Sequence, residues 1–216
     1  MIEENLLAVR RNIERMVKVS GRRPADITLV CVTKQADAGR IAEALKCGVS
    51  DIGENRVQDA AEKYSILGSA ARWHLIGHLQ TNKVKKAVEI FDLIHSIDSF
   101  RLAEAVAKEA GKIGKTQDVL LEVNVSGEAS KFGIKPGEAL YLTRRIRALN
   151  NIRLLGFMTI APLADNPENA RPCFKRLREL SEEAGLNVLS MGMSQDYQVA
   201  IEEGATMVRI GSAIFK

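Results

Sequence analysis

Two neighbouring stretches decide the fold of this chain: Leu189-Ser-Met-Gly-Met-Ser194 and Met207-Val-Arg-Ile-Gly-Ser-Ala-Ile-Phe215. Each begins as a short apolar run, typical of a buried strand, and breaks into small residues at its C-terminal end. Glycine lets backbone N–H groups come close to a ligand, and a serine hydroxyl adds a further hydrogen bond. The dipole of a following helix adds to this, so both strand ends favour an anion such as phosphate.

The first predicted strand supplies the other half of such a site. Residues 27–33 form an apolar run that leads straight into Lys34. If the two C-terminal stretches are the last strands of an eight-stranded barrel, they lie where such barrels frequently bind phosphate. A lysine there predicts an aldehyde-bearing phosphate ester held as a Schiff base, because partial desolvation in the barrel mouth frees the amine to attack. The alternative is an ordinary solvated lysine.

The order of predicted elements indicates a closed parallel sheet. Eight strand patterns alternate with helical patterns, each strand being preceded by one helix. This alternation predicts a single-domain (β/α)8 TIM barrel over residues 1–216, with an amphipathic helix over 2–19 packing where a last helix would otherwise lie. A doubly wound open sheet is the alternative, although its Gly-x-Gly-x-x-Gly signature is absent after the first strand. The polar connection 126–135 is expected to be a mobile loop over the barrel mouth.

Composition excludes several classes of protein. The net charge is only +4 and the basic residues are scattered, which argues against binding to nucleic acid. The 3 cysteines have no Cys-x-x-Cys spacing, so neither a disulfide framework nor a metal site is expected. No apolar run approaches the roughly 18–20 residues of a membrane span, and the N-terminus does not resemble a secretory signal. We therefore expect a cytoplasmic protein with no membrane partner.

Polar residues recur where the predicted strands end, while the strand interiors are apolar. Because the active sites of barrel enzymes lie at the C-terminal ends of the strands, these residues are the candidates for a site. In chain order they are Lys34, Asn55, His78, Ser96, Asn124, Thr159, Ser194, Arg209, Gly211 and Ser212.

Most of these candidates also have a purely structural interpretation. Asn55 can be a turn former, and His78 can cap the following helix. Arg209 can simply form an ion pair near the end of its strand. The other two histidines, His74 and His95, are expected to pack within or beside strands.

Several longer motifs resemble the pyridoxal 5′-phosphate homeostasis protein family, the single-domain relatives of the alanine racemase N-terminal barrel. The motifs are Lys34, Gly53-Glu-Asn55 with Val57-Gln58, Trp73-His-Leu-Ile-Gly-His-Leu-Gln80 with Asn82-Lys83, Leu189-Ser-Met-Gly-Met-Ser194 and Val208-Arg-Ile-Gly-Ser-Ala-Ile-Phe215. The similarity runs in order along nearly the whole chain.

The resemblance implies a barrel of the alanine racemase N-terminal type (fold type III) that carries pyridoxal phosphate, a form of vitamin B6, as a Schiff base on Lys34. It also implies that Ser194, Gly211 and Ser212 hold the phosphate and that Arg209 faces the pyridine nitrogen. A charged arginine there disfavours protonation of that nitrogen, so carbanion stabilisation is weaker than with a carboxylate partner. Further motif positions that line the pocket are Asn55 and His78.

Two functions from different classes remain. The first is a non-catalytic monomer that buffers pyridoxal phosphate inside the cell or delivers it to apoenzymes that depend on it. The second is an amino-acid racemase using the same cofactor link. The resemblance favours the first, because related racemases add a second domain that supplies a catalytic tyrosine, and Tyr64, Tyr141 and Tyr197 fall at no predicted strand end. A Schiff-base aldolase acting on a sugar phosphate is a third interpretation, which the flanking motifs do not favour.

Overall fold

The computed structural model describes all 216 residues and contains a closed barrel of eight parallel strands in sequential order. Each strand pairs with the next, and β1 pairs with β8 to close the sheet. The strands are Thr28–Val32 (β1), Asp51–Glu54 (β2), Arg72–Leu75 (β3), Leu93–Ile97 (β4), Gln117–Glu122 (β5), Ile152–Met158 (β6), Val188–Ser190 (β7) and Met207–Ile210 (β8). The predicted (β/α)8 barrel is therefore confirmed, and the open-sheet alternative is wrong.

Helices connect consecutive strands around the outside of the barrel. They are Ile2–Val19 (α1), Ala38–Lys46 (α2), Val57–Leu67 (α3), Val84–Ile90 (α4), Phe100–Lys112 (α5), Ala139–Arg147 (α6), Arg171–Ala184 (α7), Tyr197–Glu202 (α8) and Ser212–Phe215 (α9). Short 3-10 turns precede β1, α4, α6 and α7 at Pro24–Asp26, Thr81–Lys83, Pro136–Glu138 and Pro167–Ala170. None of the helices combines the length and the apolar character that crossing a membrane requires.

The N-terminal helix α1 completes the outer ring. It packs against α2, α8 and α9, as its predicted place in the ring requires. The Asn5 side chain donates a hydrogen bond to the Ile214 carbonyl at 3.0 Å, and Arg40 of α2 donates to the Phe215 carbonyl. These bonds satisfy carbonyl groups at the end of α9, which would otherwise lack partners in so short a helix.

Two strand boundaries differ from the sequence-based expectation. The second strand was expected over residues 49–52, but β2 continues through Gly53 to Glu54, because both residues pair with β3 and Gly53 also pairs with β1. The fifth strand was expected to reach residue 125, but β5 ends at Glu122. Beyond it, Val123 forms an isolated bridge with Ile134, so the chain leaves the barrel there. In both places pairing with a distant segment overrides local propensity.

Buried residues form two groups on opposite faces of the sheet. The larger cluster lies between the strands and the helices and includes Trp73, Phe157 and Phe174. A smaller cluster fills part of the barrel interior with Leu93, Leu120, Met158 and Met207. Polar side chains also lie in the interior, among them His74, His95, Ser190 and Arg209, although barrel interiors are normally dominated by branched aliphatic residues.

Candidate functional site

Lys34 follows β1 on a segment that a buried ion pair holds in place. Glu54 is fully buried, and its Oε1 accepts hydrogen bonds from Thr33 Oγ1 at 2.5 Å and Lys63 Nζ at 2.6 Å. Lys63 also donates to the Thr33 carbonyl at 2.8 Å. The residue before Lys34 is thus fixed through both its side chain and its backbone, and Asp37 then caps α2 through the Arg40 N–H. This arrangement holds the Lys34 backbone at the carboxyl end of β1.

The Lys34 side chain itself is exposed. The expectation that it is partly desolvated in the barrel mouth is therefore wrong for the protein without a ligand. The reason is geometric, because Lys34 lies two residues beyond the end of β1 and no segment covers it. A long flexible side chain in this position can still reach a ligand bound over the barrel.

Small residues after β7 and β8 lie next to each other and next to β1. The backbone N–H of Arg209 donates to the Gly192 carbonyl at 2.9 Å, which joins the two strand ends. Gly192 has a φ of +90°, and a Cβ there would approach Ala200 Cβ to 2.6 Å. A Cβ on Gly211 would lie 3.0 Å from the Val32 carbonyl oxygen. Glycine therefore lets the turn after β7 pack against α8 at position 192, and lets the end of β8 approach β1 at position 211.

The two serines predicted to bind phosphate flank this region. Ser194 is half-buried in the turn after β7, where Asp196 Oδ1 accepts a hydrogen bond from the Met193 N–H at 2.6 Å. Ser212 is exposed and is the first residue of α9, directly after Gly211. Both hydroxyl groups remain available to a ligand at the C-terminal end of the barrel.

A second part of the site lies at the ends of β2 and β3. Asn55 is exposed, and its carbonyl group packs against Gly77. His78 Nδ1 lies 3.2 Å from Asp98 Oδ2, and the His78 ring stacks on Phe132 with centroids 3.8 Å apart. Phe132 belongs to the connection 126–135, so this loop reaches across to β3 over one side of the barrel. The cleft bounded by these residues has about 1180 Å³ of empty space open to solvent.

Arg209 is buried inside the barrel instead of forming a simple ion pair. Its Nη1 donates to Ser190 Oγ at 2.7 Å, and its Nη2 donates to the Thr159 carbonyl at 2.9 Å. Burial lowers the pKa of Arg209 to about 10, although Glu122 and Asp196 oppose this shift. The guanidinium is therefore still charged at neutral pH and is held in one orientation by two bonds.

Glu122 is a buried carboxyl group inside the barrel that the sequence analysis did not single out. Burial raises its pKa to about 7, Arg209 partly offsets this, and Asp98 adds to it. Glu122 is the last residue of β5, and a polar residue at a strand end would have made it a candidate. The predicted fifth strand continued to residue 125, so Glu122 was placed inside the strand. A carboxyl group that titrates near neutral pH beside a charged arginine is typical of functional sites.

Replacing Glu122 with glutamine is expected to stabilise the protein at pH 8 by roughly 2–3 kcal/mol, because the variant carries no buried charge. The sign follows from the raised pKa of Glu122. The ionised Glu122 side chain lowers the stability of the fold. This loss of stability is absent below the unfolded pKa of about 4.5, grows as pH rises, and is complete above a pH of about 7. Urea unfolding at pH 4.5 and pH 8 measures the difference, with the exposed Glu104→Gln variant as control. Equal stabilisation at both pH values would contradict this explanation.

His74 and His95 lie within strands, as expected, but they do more than pack. Both are fully buried, and His74 Nδ1 lies 2.9 Å from His95 Nε2. His74 Nε2 contacts Asp51 Oδ1 at 2.9 Å, and His95 Nδ1 contacts Ser190 Oγ at 2.9 Å. Because β4 and β7 are not neighbours, the bond between His95 and Ser190 crosses the barrel interior. Nothing in the local sequence pattern indicates this pairing.

Comparison with known proteins is consistent with this geometry. The model of the alanine racemase N-terminal domain matches residues 5–216. A pyridoxal phosphate homeostasis protein of Aquifex aeolicus is 44% identical over 219 residues, which cover 98% of this chain and 96% of the relative. This chain belongs to the pyridoxal phosphate homeostasis protein family.

Solved structures agree with membership of the pyridoxal phosphate homeostasis protein family. PipY of Synechococcus elongatus, whose structure has pyridoxal phosphate (PLP) bound, has a TM-score of 0.86 and 34% identity over 100% of both chains. Alanine racemase of Clostridium difficile has a TM-score of 0.79 at 18% identity and matches 99% of this chain but 56% of its own. The second similarity shows the fold alone.

The residues present fit the cofactor that gives the pyridoxal phosphate homeostasis family its name. The close approach of Gly211 to β1 leaves backbone and the Ser212 hydroxyl at the mouth, where a phosphate needs donors. Arg209 uses two of its five N–H groups in its contacts with Ser190 and Thr159. Asn55 and His78 lie apart from this group, on the β2 and β3 side.

Proposed function

We propose that this chain binds pyridoxal phosphate at the C-terminal end of its barrel and acts in the homeostasis of that cofactor inside the cell. The observation that carries the proposal is the likeness to PipY, which has PLP bound and matches this chain over its full length. The cofactor supplies an aldehyde and an electron-withdrawing ring. What this chain supplies is a lysine, an anion site and a buried arginine in one barrel mouth.

We assign the covalent contact to Lys34. Its amine would attack the aldehyde and release one water molecule, and detachment would consume one water molecule in the reverse step. The exposure of Lys34 supports a carrier, because an accessible amine can exchange the cofactor with solvent. The fixed backbone at Thr33 would keep the point of attachment constant while the side chain moves.

We assign the phosphate to Ser194, Gly211 and Ser212, and the ring nitrogen to Arg209. Asn55 and His78 would border the cofactor on the opposite side of the mouth. Arg209 is charged at neutral pH, so it would disfavour a proton on the ring nitrogen and weaken the cofactor as an electron sink. Such a site holds the cofactor without activating it for chemistry on amino acids.

The role we propose is to buffer pyridoxal phosphate and to deliver it to apoenzymes that require it, with the protein acting as a cytoplasmic monomer. The three cysteines support a reducing compartment because all of them are free thiols. The racemase alternative needs a tyrosine acid or base near the cofactor. Tyr64 packs against Trp73 with ring centroids 5.4 Å apart, and Tyr141 is 61% exposed on α6. Tyr197 is buried at the start of α8 as part of the main hydrophobic cluster, so we place none of the three in that role.

An absorbance titration tests the cofactor assignment directly. Adding pyridoxal phosphate to the purified protein should produce a visible band, and borohydride reduction followed by peptide mapping should place the reduced adduct on Lys34. An adduct spread over surface lysines, or no band, would overturn the proposal. Racemisation of alanine measured on the same sample should be negligible, and efficient racemisation would favour the enzyme instead.

The double replacement Ser194→Ala with Ser212→Ala is expected to weaken retention of the cofactor about 100-fold, because two hydrogen bonds to a charged phosphate are lost at about 1.5 kcal/mol each. Covalent attachment should persist at high cofactor concentration, since Lys34 is intact. Equilibrium dialysis of the variant and of the control Ser69→Ala measures the effect. Unchanged retention in the double variant would remove the phosphate assignment.

A further inference from the structure

A continuous chain of hydrogen bonds crosses the barrel interior from one charged group to another. It begins at Asp51 on β2, passes through His74 on β3 and His95 on β4, and reaches Ser190 on β7 and Arg209 on β8. Its four links measure 2.9, 2.9, 2.9 and 2.7 Å in that order. All of its members except Asp51 are buried. The chain joins a carboxylate, which only accepts hydrogen bonds, to a guanidinium, which only donates them.

The carboxylate end determines which nitrogen of each histidine carries the proton. Burial alone would raise the pKa of Asp51, but hydrogen bonds from His74 and Ser50 hold it below its ordinary value, so Asp51 is ionised. His74 Nε2 must therefore be the donor to Asp51. In a neutral His74 the Nδ1 is then an acceptor, so His95 Nε2 must donate to it.

The guanidinium end requires the same direction. Burial holds the pKa of His95 well below its ordinary value, with the charge of Arg209 adding to the effect, so His95 is neutral and its Nδ1 accepts. Only the Ser190 hydroxyl can donate to that nitrogen, which leaves the serine oxygen free to accept from Arg209. Each of the four links then joins one donor to one acceptor.

The opposite arrangement leaves a buried proton without a partner. If His95 Nδ1 donated to Ser190, the serine oxygen would receive bonds from both His95 and Arg209, and its own proton would have no acceptor within the chain. An unsatisfied polar group in a buried site is costly. Aligned hydrogen bonds, in contrast, polarise and strengthen each other.

We propose that His74 and His95 are positioning residues, which in their neutral Nε2–H forms hold Ser190 and Arg209 in the orientation that faces the cofactor ring. This role rests on the proposed function, because it requires the ring to lie against Arg209. The bonds from Arg209 to Ser190 and to the Thr159 carbonyl fix the plane of the guanidinium. Of these two contacts, the one to Ser190 depends on the histidine pair, and the histidines themselves do not touch the cofactor.

The direction of the chain can be tested on the wild-type protein without cofactor. The sequence contains 3 histidines, so long-range ¹H–¹⁵N correlation spectra resolve every imidazole ring. The exposed His78 is assigned with the His78→Gln variant. We expect the two remaining rings to be neutral with the proton on Nε2 at pH 7. A proton on Nδ1 in either ring, or a charged His74, would overturn the proposal.

The positioning role can be tested by spectra of the protein with pyridoxal phosphate. His95→Leu should raise the dissociation constant about tenfold and shift the visible absorbance maximum, because Ser190 loses its acceptor and Arg209 its fixed orientation. His95→Asn places an amide oxygen near the former Nδ1 and should restore most of the affinity. The control is Leu93→Ala, a buried interior change on the same strand, which should lower stability and leave the spectrum unchanged.

The outcomes separate the two proposals. A His95→Leu protein with wild-type affinity and absorbance, or a Leu93→Ala protein with the same shift, would overturn the positioning role while the proposed function stands. A wild-type protein that binds no pyridoxal phosphate would overturn the proposed function. It would also overturn the role of the histidines in orienting Arg209 toward the cofactor ring. The tautomers of the unliganded protein would still decide the direction of the hydrogen bonds.

Discussion

Replacing Lys34 with alanine is expected to abolish covalent attachment of pyridoxal phosphate entirely, so that borohydride leaves no reduced adduct on the variant. The phosphate contacts proposed for Ser194 and Ser212 remain, and non-covalent binding should persist with a dissociation constant raised by roughly two to three orders of magnitude. The fold should be unaffected, because the Lys34 side chain is exposed and no hydrogen bond in the barrel depends on it. Thermal unfolding of the variant without cofactor should match the wild type within about 0.5 kcal/mol.

Two controls make this result specific to Lys34. Lys86→Ala removes another exposed lysine, on α4, and should leave attachment intact. Lys63→Met removes the half-buried ion-pair partner of the buried Glu54, and should lower stability while covalent attachment still occurs. A Lys34→Ala protein that gives the same adduct would show that another lysine is the point of attachment.

Replacing Arg209 with methionine is expected to destabilise the protein by about 3–4 kcal/mol at pH 8, because the buried Glu122 and Asp196 lose their compensating charge. The Ser190 hydroxyl and the Thr159 carbonyl also lose their donor. Part of the loss is avoided at lower pH, since Glu122 can become neutral by binding a proton. The destabilisation should therefore grow with pH.

The direction of this pH dependence follows from the pKa of Glu122. Arg209 is the group that lowers it, so its removal raises the Glu122 pKa further above about 7. A carboxyl group with a raised pKa in the folded state reduces stability as pH rises from its unfolded to its folded pKa. The wild type should complete this loss near pH 7, whereas Arg209→Met should continue to lose stability between pH 7 and pH 8.5.

Urea unfolding at pH 5.5, 7 and 8.5 measures this difference. The double variant Arg209→Met with Glu122→Gln should recover much of the loss at pH 8.5 and little at pH 5.5, because it lacks the buried charge. The unpaired Ser190 and Thr159 groups should account for the remainder. Parallel stability curves for the wild type and Arg209→Met would mean that Arg209 and Glu122 are not coupled.

The buried polar groups inside the barrel make its stability sensitive to single replacements. Five polar residues in the barrel form one chain of hydrogen bonds from Asp51 to Arg209, and the charge of Arg209 acts on the buried Glu122. Such groups stabilise a structure only when all their partners are present, so single replacements are costly. The cost is consistent with a binding site, where buried charge is kept for function.

The sequence by itself determined the class of fold and the ends of the site. Short apolar runs that alternate with helical patterns indicate a parallel sheet, and eight such repeats predict a closed barrel. The small residues after β7 and β8 predicted an anion site, and in the structure Gly211 lies so close to Val32 of β1 that a Cβ would be crowded there. These are local properties, and the residues that carry them are neighbours in the chain.

Only the tertiary structure decided what lies inside the barrel. In the sequence, four polar residues stand isolated in otherwise apolar strands: His74, His95, Ser190 and Arg209. They contact each other because closure of the barrel places β3, β4, β7 and β8 around one interior. The raised pKa of Glu122 and the exposure of the Lys34 side chain also depend on which segments pack nearby. Desolvation and hydrogen-bond direction are set by groups far apart in sequence, so no pattern along the chain encodes them.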